Sequence, residues 1–363
     1  MTITKAMTIA CEGVTAGVLV SGTNAIIVNA GASDQVTLRG LDINGFGTGL
    51  NGIRFLAGKA LIVDNCQIYE FTTNGIDVAL AAAASVNVKD TRINTIGGDG
   101  IRVASTAGGA SFSAERVNIS RTNNAIEVRT NNVTIDCNGF TLDNRAAGRG
   151  TASAGMLAWG FSNIRVRNCT IEGFFYGTFI SGDLAADNHP PLQSGHVVEN
   201  NRFSQNRYAG IHVDGFANVI RGNIVTNTGG ALNWGGGVGI VAWAPVDVID
   251  NIVDGDFGAS ESPNWGNVGI LAGALDLTVA AGFQVRGNRV RNLGQKGNFL
   301  PQGLKVIGYG VIVEDNLLAQ RDPTPGQGLY CLGVPVSIRN NIIKNYSQTI
   351  YGICDDQGGN IAY

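Results

Sequence analysis

His212 and Asp214 stand two positions apart in Ile211-His212-Val213-Asp214, between branched apolar residues. In a β-strand that spacing puts both side chains on one face. A carboxylate beside an imidazole fixes its tautomer and supports proton transfer near neutral pH. His212 is therefore the candidate proton-transfer group, and Asp214 its partner. Trp159 and Trp243 supply flat apolar surfaces of the kind that stack on sugar faces. Lys305 and Tyr330 add a cation and a hydroxyl, which suit an acidic, hydroxylated ligand. Together these residues point to a polysaccharide as partner. Acid/base action on an acidic polysaccharide (lyase, epimerase or hydrolase) is the matching chemistry. The competing reading packs both tryptophans under the loops at 181–195 and 228–237.

Other chemistry has less in its favour. No cofactor motif is present, and no cofactor is expected. Asp254-Gly255-Asp256, followed by Glu261, offers oxygen ligands to Ca²⁺, although acidic turns are commonly just solvated. The six cysteines (Cys11, Cys66, Cys137, Cys169, Cys331, Cys354) show no CxxC spacing. They are expected to be small buried hydrophobes, with a disulfide or metal site as the alternative. Gly45, Gly47 and Gly49 resemble a nucleotide loop, but no helical pattern follows them. A net charge of −3, with scattered arginines, argues against nucleic acid as a partner. No apolar run approaches the roughly 18 residues of a membrane span.

The elements that would position these side chains are read from a repeat. Gly-Ile-x-Val or a close variant recurs at Gly52-Ile53, Gly75-Ile76, Gly100-Ile101 and Ala125-Ile126. It continues at Gly210-Ile211, Gly239-Ile240, Gly269-Ile270, Gly303-Leu304, Gly328-Leu329 and Gly352-Ile353. Alternating apolar and polar residues mean strands with one face inward. The glycine before each strand is expected to serve a tight turn with unusual backbone angles. The residue after each Gly-Ile then faces outward, so Arg54, Asp77, Arg102 and Glu127 form a charge-alternating column. Farther along, the same logic puts His212, Lys305 and Tyr330 in one outward column. It puts Trp159, Asp214, Trp243 and Asp356 in the next.

A second strand precedes each of these, and in six successive repeats it carries Asn201, Asn223, Asn251, Asn288, Asn316 and Asn341. Asn tolerates left-handed angles and can bond the same amide one coil away, which makes an asparagine ladder. Coils at 1–131 are expected to lack a ladder, with Cys66, Thr91 and Arg116 at that place, and coils at 132–363 to have one. A junction near residue 130 would follow, inside a single domain spanning 1–363. Leucine-rich repeats are the rival at Leu38, Leu41 and Ile43, but later repeats lose that pattern and no helix intervenes. Repeat length runs from 22 residues (Met156 to Thr178) to 34 (Ile270 to Leu304), which a left-handed hexapeptide helix would not tolerate. The expected fold is all-β: a right-handed single-stranded parallel β-helix, a solenoid of about 12 coils.

These repeats resemble the parallel β-helix repeats of the pectin-lyase-like superfamily, above all bacterial carbohydrate-binding and sugar-hydrolase β-helix proteins. The resemblance covers essentially the whole chain and implies architecture more than activity. Thr73-Asn74-Gly75-Ile76-Asp77 is similar to part of a polygalacturonase motif, with Asn74 where that family has its catalytic Asp. His212-Val213-Asp214 is only loosely similar to the Asp-Pro-His-Asp motif of alginate epimerases. The resemblance implies an extracellular or extracytoplasmic setting, if the natural protein carried a leader. Met1 to Lys5 already reads as a strand, with no capping helix before it, so a trimmed end and end-to-end self-association are expected. The functional expectation is a carbohydrate-interacting β-helix. Its alternative is a non-catalytic structural or adhesive solenoid, engineered or spliced scaffolds included.

Overall fold

The chain folds as a right-handed parallel β-helix of about 12 turns. The computed structural model describes all residues except 15, 107–109, 148–151, 183–193, 232–235, 256–266, 274–281, 295–299 and 309. Among the described residues, one turn of 3-10 helix at Arg145–Ala147 is the exception to strands, turns and irregular backbone. The chain divides into two compact units, Met1–Glu172 and Gly173–Tyr363.

In the first unit the Gly-Ile strands stack in register. Ile26, Ile53, Ile76, Ile101, Ile126 and Met156 are successive partners. All six are fully buried, forming one stripe of the core. Each such side chain stabilises the fold by about 1.5–3 kcal/mol relative to exposure. Ile43, Ile68, Ile93, Ile119, Leu142 and Ile171 form a second stripe in the same way. The outward column pairs as its charges require. Asp77 lies 3.2 Å from Arg54 and 2.8 Å from Arg102, and Glu127 lies 2.9 Å from Arg129.

The glycines act differently from expectation. Those before the strands do not have positive φ, except Gly352 (φ +92), which pairs with Cys331 and so stands off the repeat position, since Leu329 pairs with Ile350. A Cβ on Gly52 would come within 2.4 Å of Ile68, and one on Gly269 within 2.2 Å of Val290. They are glycine because neighbouring segments pass too close for a side chain, not because the backbone turns there.

In the second unit Ile211, Ile240, Ile270, Leu304, Leu329 and Ile350 repeat the inward stripe. At one corner, Asn201 Nδ2 donates to Asn223 Oδ1 at 3.0 Å, and Asn223 to Asn251 at 2.9 Å. The column continues through Asn288, Asn316 and Asn341 to Asn360, each step 3.0 Å. The left-handed backbone belongs to the residue before each Asn: Asn200, Gly222, Asp250, Gly287, Asp315 and Asn340. The ladder amides themselves are inside, bonding along the stack.

The expectation of ladder-free coils up to residue 131 needs correction. The corresponding corner of the first unit does carry Cys66 and Thr91, with the Cys66 amide donating to Thr91 Oγ1. Stacked amides stand instead at the corner before the Gly-Ile strand. Asn51 donates to Asn24 at 2.7 Å, Asn74 to Asn51 at 3.0 Å and Asn124 to Asp99 at 2.9 Å. The cysteine expectation is corrected too. Cys137–Cys169 and Cys331–Cys354 are disulfides joining neighbouring coils, while Cys66 is buried and free. Asp356 is also displaced from its expected column, since it pairs with Ile338 and not with Leu332, which continues the Trp243 column.

Candidate functional site

Strands Tyr176–Ser181, Ala209–Asp214 and Val238–Trp243 lie side by side. Phe179 pairs with His212 and His212 with Val241, while Asp214 pairs with Trp243. Ile211 and Val213 take the inward positions, which turns His212 and Asp214 outward together. His212 Nε2 comes within 2.9 Å of Asp214 Oδ1. This is an ion-pair distance without hydrogen-bond alignment, because Oδ1 has no aligned donor. The other carboxylate oxygen accepts from Ser181 Oγ at 2.7 Å. His212 Nδ1 is enclosed and has no hydrogen-bond partner among the described residues. The two side chains keep 13% and 10% of their surface.

Aromatic side chains surround the imidazole. Phe179 lies 4.7 Å from it, centroid to centroid, and Tyr176 meets it edge-on at 5.7 Å. Tyr208 packs against Tyr176 at 5.4 Å and stacks on Phe175 at 5.2 Å. Burial, with smaller contributions from Tyr208 and Asp214, pushes the Tyr176 hydroxyl up to about 12, so it keeps its proton at neutral pH. Trp243, Tyr176 and Tyr208 pack on Ala209, Val238 and Val241, and Val241 is 2% exposed although it shares the outward column of His212. His196 is nearby: its amide donates to Asn218 Oδ1, and Asn218 Nδ2 donates to the Asp214 carbonyl. Burial pushes His196 down to about 4, against the opposing pull of Asp214, so it is neutral.

The expected residues are thus only partly brought together. His212, Asp214 and Trp243 meet. Lys305 and Tyr330 do share the His212 column, by way of Val241 and Leu271. Three coil steps of about 4.8 Å put Lys305 roughly 14 Å along from His212. There its ammonium lies 5.5 Å from the centre of the Tyr330 ring, and burial lowers its pKa. Trp159 belongs to the first unit, where 55% of its surface is exposed.

Asp254, the Ca²⁺ candidate, is committed elsewhere. Its carboxylate accepts from Arg291 Nε at 2.8 Å and Asn292 Nδ2 at 2.7 Å. Asp256 and Glu261 lie outside the described residues. No group of three or more His, Cys, Asp or Glu suited to a metal occurs among the described residues. No helix there is long and apolar enough to cross a membrane.

Ser181, Tyr176, Phe179, Tyr208 and His196 were not singled out by sequence reasoning. The run Phe174-Phe175-Tyr176 was the available signal for the aromatic group. For Ser181 the signal was its register opposite Asp214, which needs the length of the intervening loop.

Comparison with known proteins agrees with this architecture. A family model described as the right handed beta helix region matches residues 80–253. Among solved structures, the chain is similar to the periplasmic alginate epimerase AlgG at 9% identity, with a TM-score of 0.52, covering 94% of this chain and 78% of that one. It is also similar to DFA-IIIase from Arthrobacter chlorophenolicus A6 without its lid at 12% identity, with a TM-score of 0.43, covering 93% and 71%. The catalytic domain of a GH87 alpha-1,3-glucanase follows at 12% identity and a TM-score of 0.40, covering 98% and 64%. No curated protein sequence matches the chain significantly. At these identities the likeness is one of fold.

Proposed function

We propose that this chain binds an acidic polysaccharide on the outward face of its β-helix, and that His212 moves a proton to or from the bound sugar. The observation that carries this reading is the His212–Asp214 contact of 2.9 Å, with Ser181 on the second carboxylate oxygen and His212 Nδ1 unpaired. A buried nitrogen without a partner costs about 1–3 kcal/mol, so stability does not explain it. With Asp214 beside Nε2, a proton on that nitrogen would leave the Nδ1 lone pair as the base, once the bound sugar displaces the side chains that enclose it. Tyr176, still protonated at neutral pH, is a proton donor beside the same ring. Base and acid together suit abstraction of the proton next to a sugar carboxylate, as a lyase or epimerase requires. Trp243 would stack on the sugar, while Lys305 and Tyr330 would meet it farther along the column. The fold shared with an alginate epimerase is compatible with this use of the outward face.

The alternative, a non-catalytic structural or adhesive solenoid, draws on the burial of the pair, which keeps only 13% and 10% of its surface. A panel of acidic polysaccharides separates the two readings. Lyase action appears as ultraviolet absorbance of unsaturated ends, epimerisation as changed proton resonances, and hydrolysis as new reducing ends. The wild type should act on one polymer, and His212→Gln should lose at least 100-fold while keeping its fold. Action unchanged in His212→Gln would remove the imidazole from the mechanism. No action on any polymer, with no binding either, would favour the structural alternative.

A further inference from the structure

We infer that the first unit carries a separate binding trough for a carboxylated saccharide, lined by Arg102, Arg129, Ser105 and Phe161. It does not use the His212 pair. The trough follows from the register of strands Gln67–Leu80, Asp99–Ser105 and Ile126–Arg129. Ala79 pairs with Ala104, and Ala104 with Arg129. Two outward alanines in succession leave the face low, and Arg129 ends that low stretch. The cavity measures about 610 Å³, within the range of small-ligand sites.

Its charge is one-sided. Arg102 and Arg129 line it, and no acidic side chain does. The neighbouring carboxylates are turned to the other column: Asp77 between Arg54 and Arg102, Glu127 between Arg102 and Arg129. Three guanidinium groups therefore face two carboxylates. Burial, and then Glu127, push Asp99 up to about 7, so this third acid does not cancel the excess in mildly acidic solution. The Arg129 guanidinium lies 2.9 Å from Glu127 through Nε, and 54% of its side chain stays exposed. A guanidinium edge of this kind matches a carboxylate with two parallel hydrogen bonds.

Aromatic surface accompanies the charge. Ser105, opposite Leu80 of the preceding coil, contributes to the lining from an inward position. Phe161 forms an aromatic wall, and Trp159 follows Ala158, the partner of Val128, so it stands one coil beyond Arg129. With 55% of its surface exposed, Trp159 offers a face on which a pyranose can stack. Charge and aromatic surface together describe a uronic-acid residue better than a bare anion or a neutral sugar.

The test is calorimetric titration of the whole chain with oligogalacturonate and oligomannuronate, with neutral malto-oligosaccharide and polyglutamate as comparisons. At least one oligouronate should bind saturably and weaken with added salt, while the neutral sugar does not bind. Arg129→Gln should weaken it at least tenfold and Trp159→Ala several-fold. Both positions are exposed, and circular dichroism confirms that each variant is folded. Arg129→Gln should leave any His212-dependent turnover unchanged, so this site and the proposed catalytic one fail independently. Oligouronate binding that ignores both substitutions, or no oligouronate binding at all, would overturn the inference. Polyglutamate binding as tightly as the uronates would overturn the saccharide assignment.

Discussion

Replacing Asp99 by asparagine should stabilise the protein at alkaline pH and change little at pH 4. Asp99 is 7% exposed and interrupts the amide column of Asn24, Asn51, Asn74 and Asn124. Its Oδ1 accepts from Asn124 Nδ2 at 2.9 Å, as an asparagine oxygen would. Burial, and then the hydrogen bond to Glu127, raise it from 3.8 to about 7. That rise corresponds to about 4 kcal/mol. Between pH 4 and 7 the folded protein holds a proton that the unfolded chain releases. The contribution is therefore intact below about pH 4 and lost as pH rises through 7. Asparagine keeps the acceptor for Asn124 and presents an N–H to Glu127 at every pH. The stability gain of Asp99→Asn should grow from near zero at pH 4 to about 2–4 kcal/mol at pH 8. Urea unfolding followed by circular dichroism at unit pH steps measures it. The difference between variant and wild type is the diagnostic quantity, because His196 contributes an opposite slope. A difference that is flat with pH, or shrinks toward alkaline solution, would refute the reasoning.

His196, held at about 4, refuses a proton that the unfolded chain accepts below 6.5. Its contribution is therefore lost as pH falls from 6.5 through 4, by about 3 kcal/mol, and His196→Gln should flatten that limb of the same unfolding curves. In Asn251→Leu, the backbone N–H and Nδ2 of Asn223 lose their shared acceptor inside the protein. A loss of about 2–4 kcal/mol is expected, with faster hydrogen exchange at the Asn223 amide; unchanged exchange would count against the ladder as a stabilising element. The Cys137–Cys169 bridge spans 32 residues, so the double serine variant should lose about 3–4 kcal/mol in the chain-entropy account. Melting temperatures with and without reductant provide the check, and an equal melt would show that the coil stack alone holds those segments.

The parts of the fold visible in the sequence are those that burial dictates at short range. Ile53, Ile76, Ile101 and Ile126 recur because each coil must fill the same interior space, and alternation reveals them without any pairing partner. The column from Asn201 to Asn341 is visible for the same reason. The column at Asn51, Asn74, Asp99 and Asn124 is hidden, because each member precedes a Gly-Ile or Ala-Ile and looks like ordinary turn chemistry. The two disulfides were not legible either. Cys137 and Cys169 come together only through a coil of 32 residues, a length that no local pattern marks. Site geometry has the same difficulty. His212 and Asp214 share a strand and could be paired on paper, whereas Ser181 and Phe179 reach them from the preceding coil.

Outward positions are where the demands of stacking and of function separate. A residue kept only to stabilise parallel coils should suit its neighbours above and below. Gln302, Gln327 and Gln348 do so, bonding along the stack at 2.6 and 3.1 Å. So do Arg54, Asp77, Arg102 and Glu127, each next to an opposite charge. His212 does not. Its column neighbours are Phe179 and Val241, neither of which can bond an imidazole nitrogen through its side chain, and its Nδ1 is left without a partner. The cost of such a group falls on stability, and a proton-transfer role for His212 would be a reason to retain it. In a solenoid whose repeats explain nearly every recurrent residue, such a departure from the column carries the most information about function.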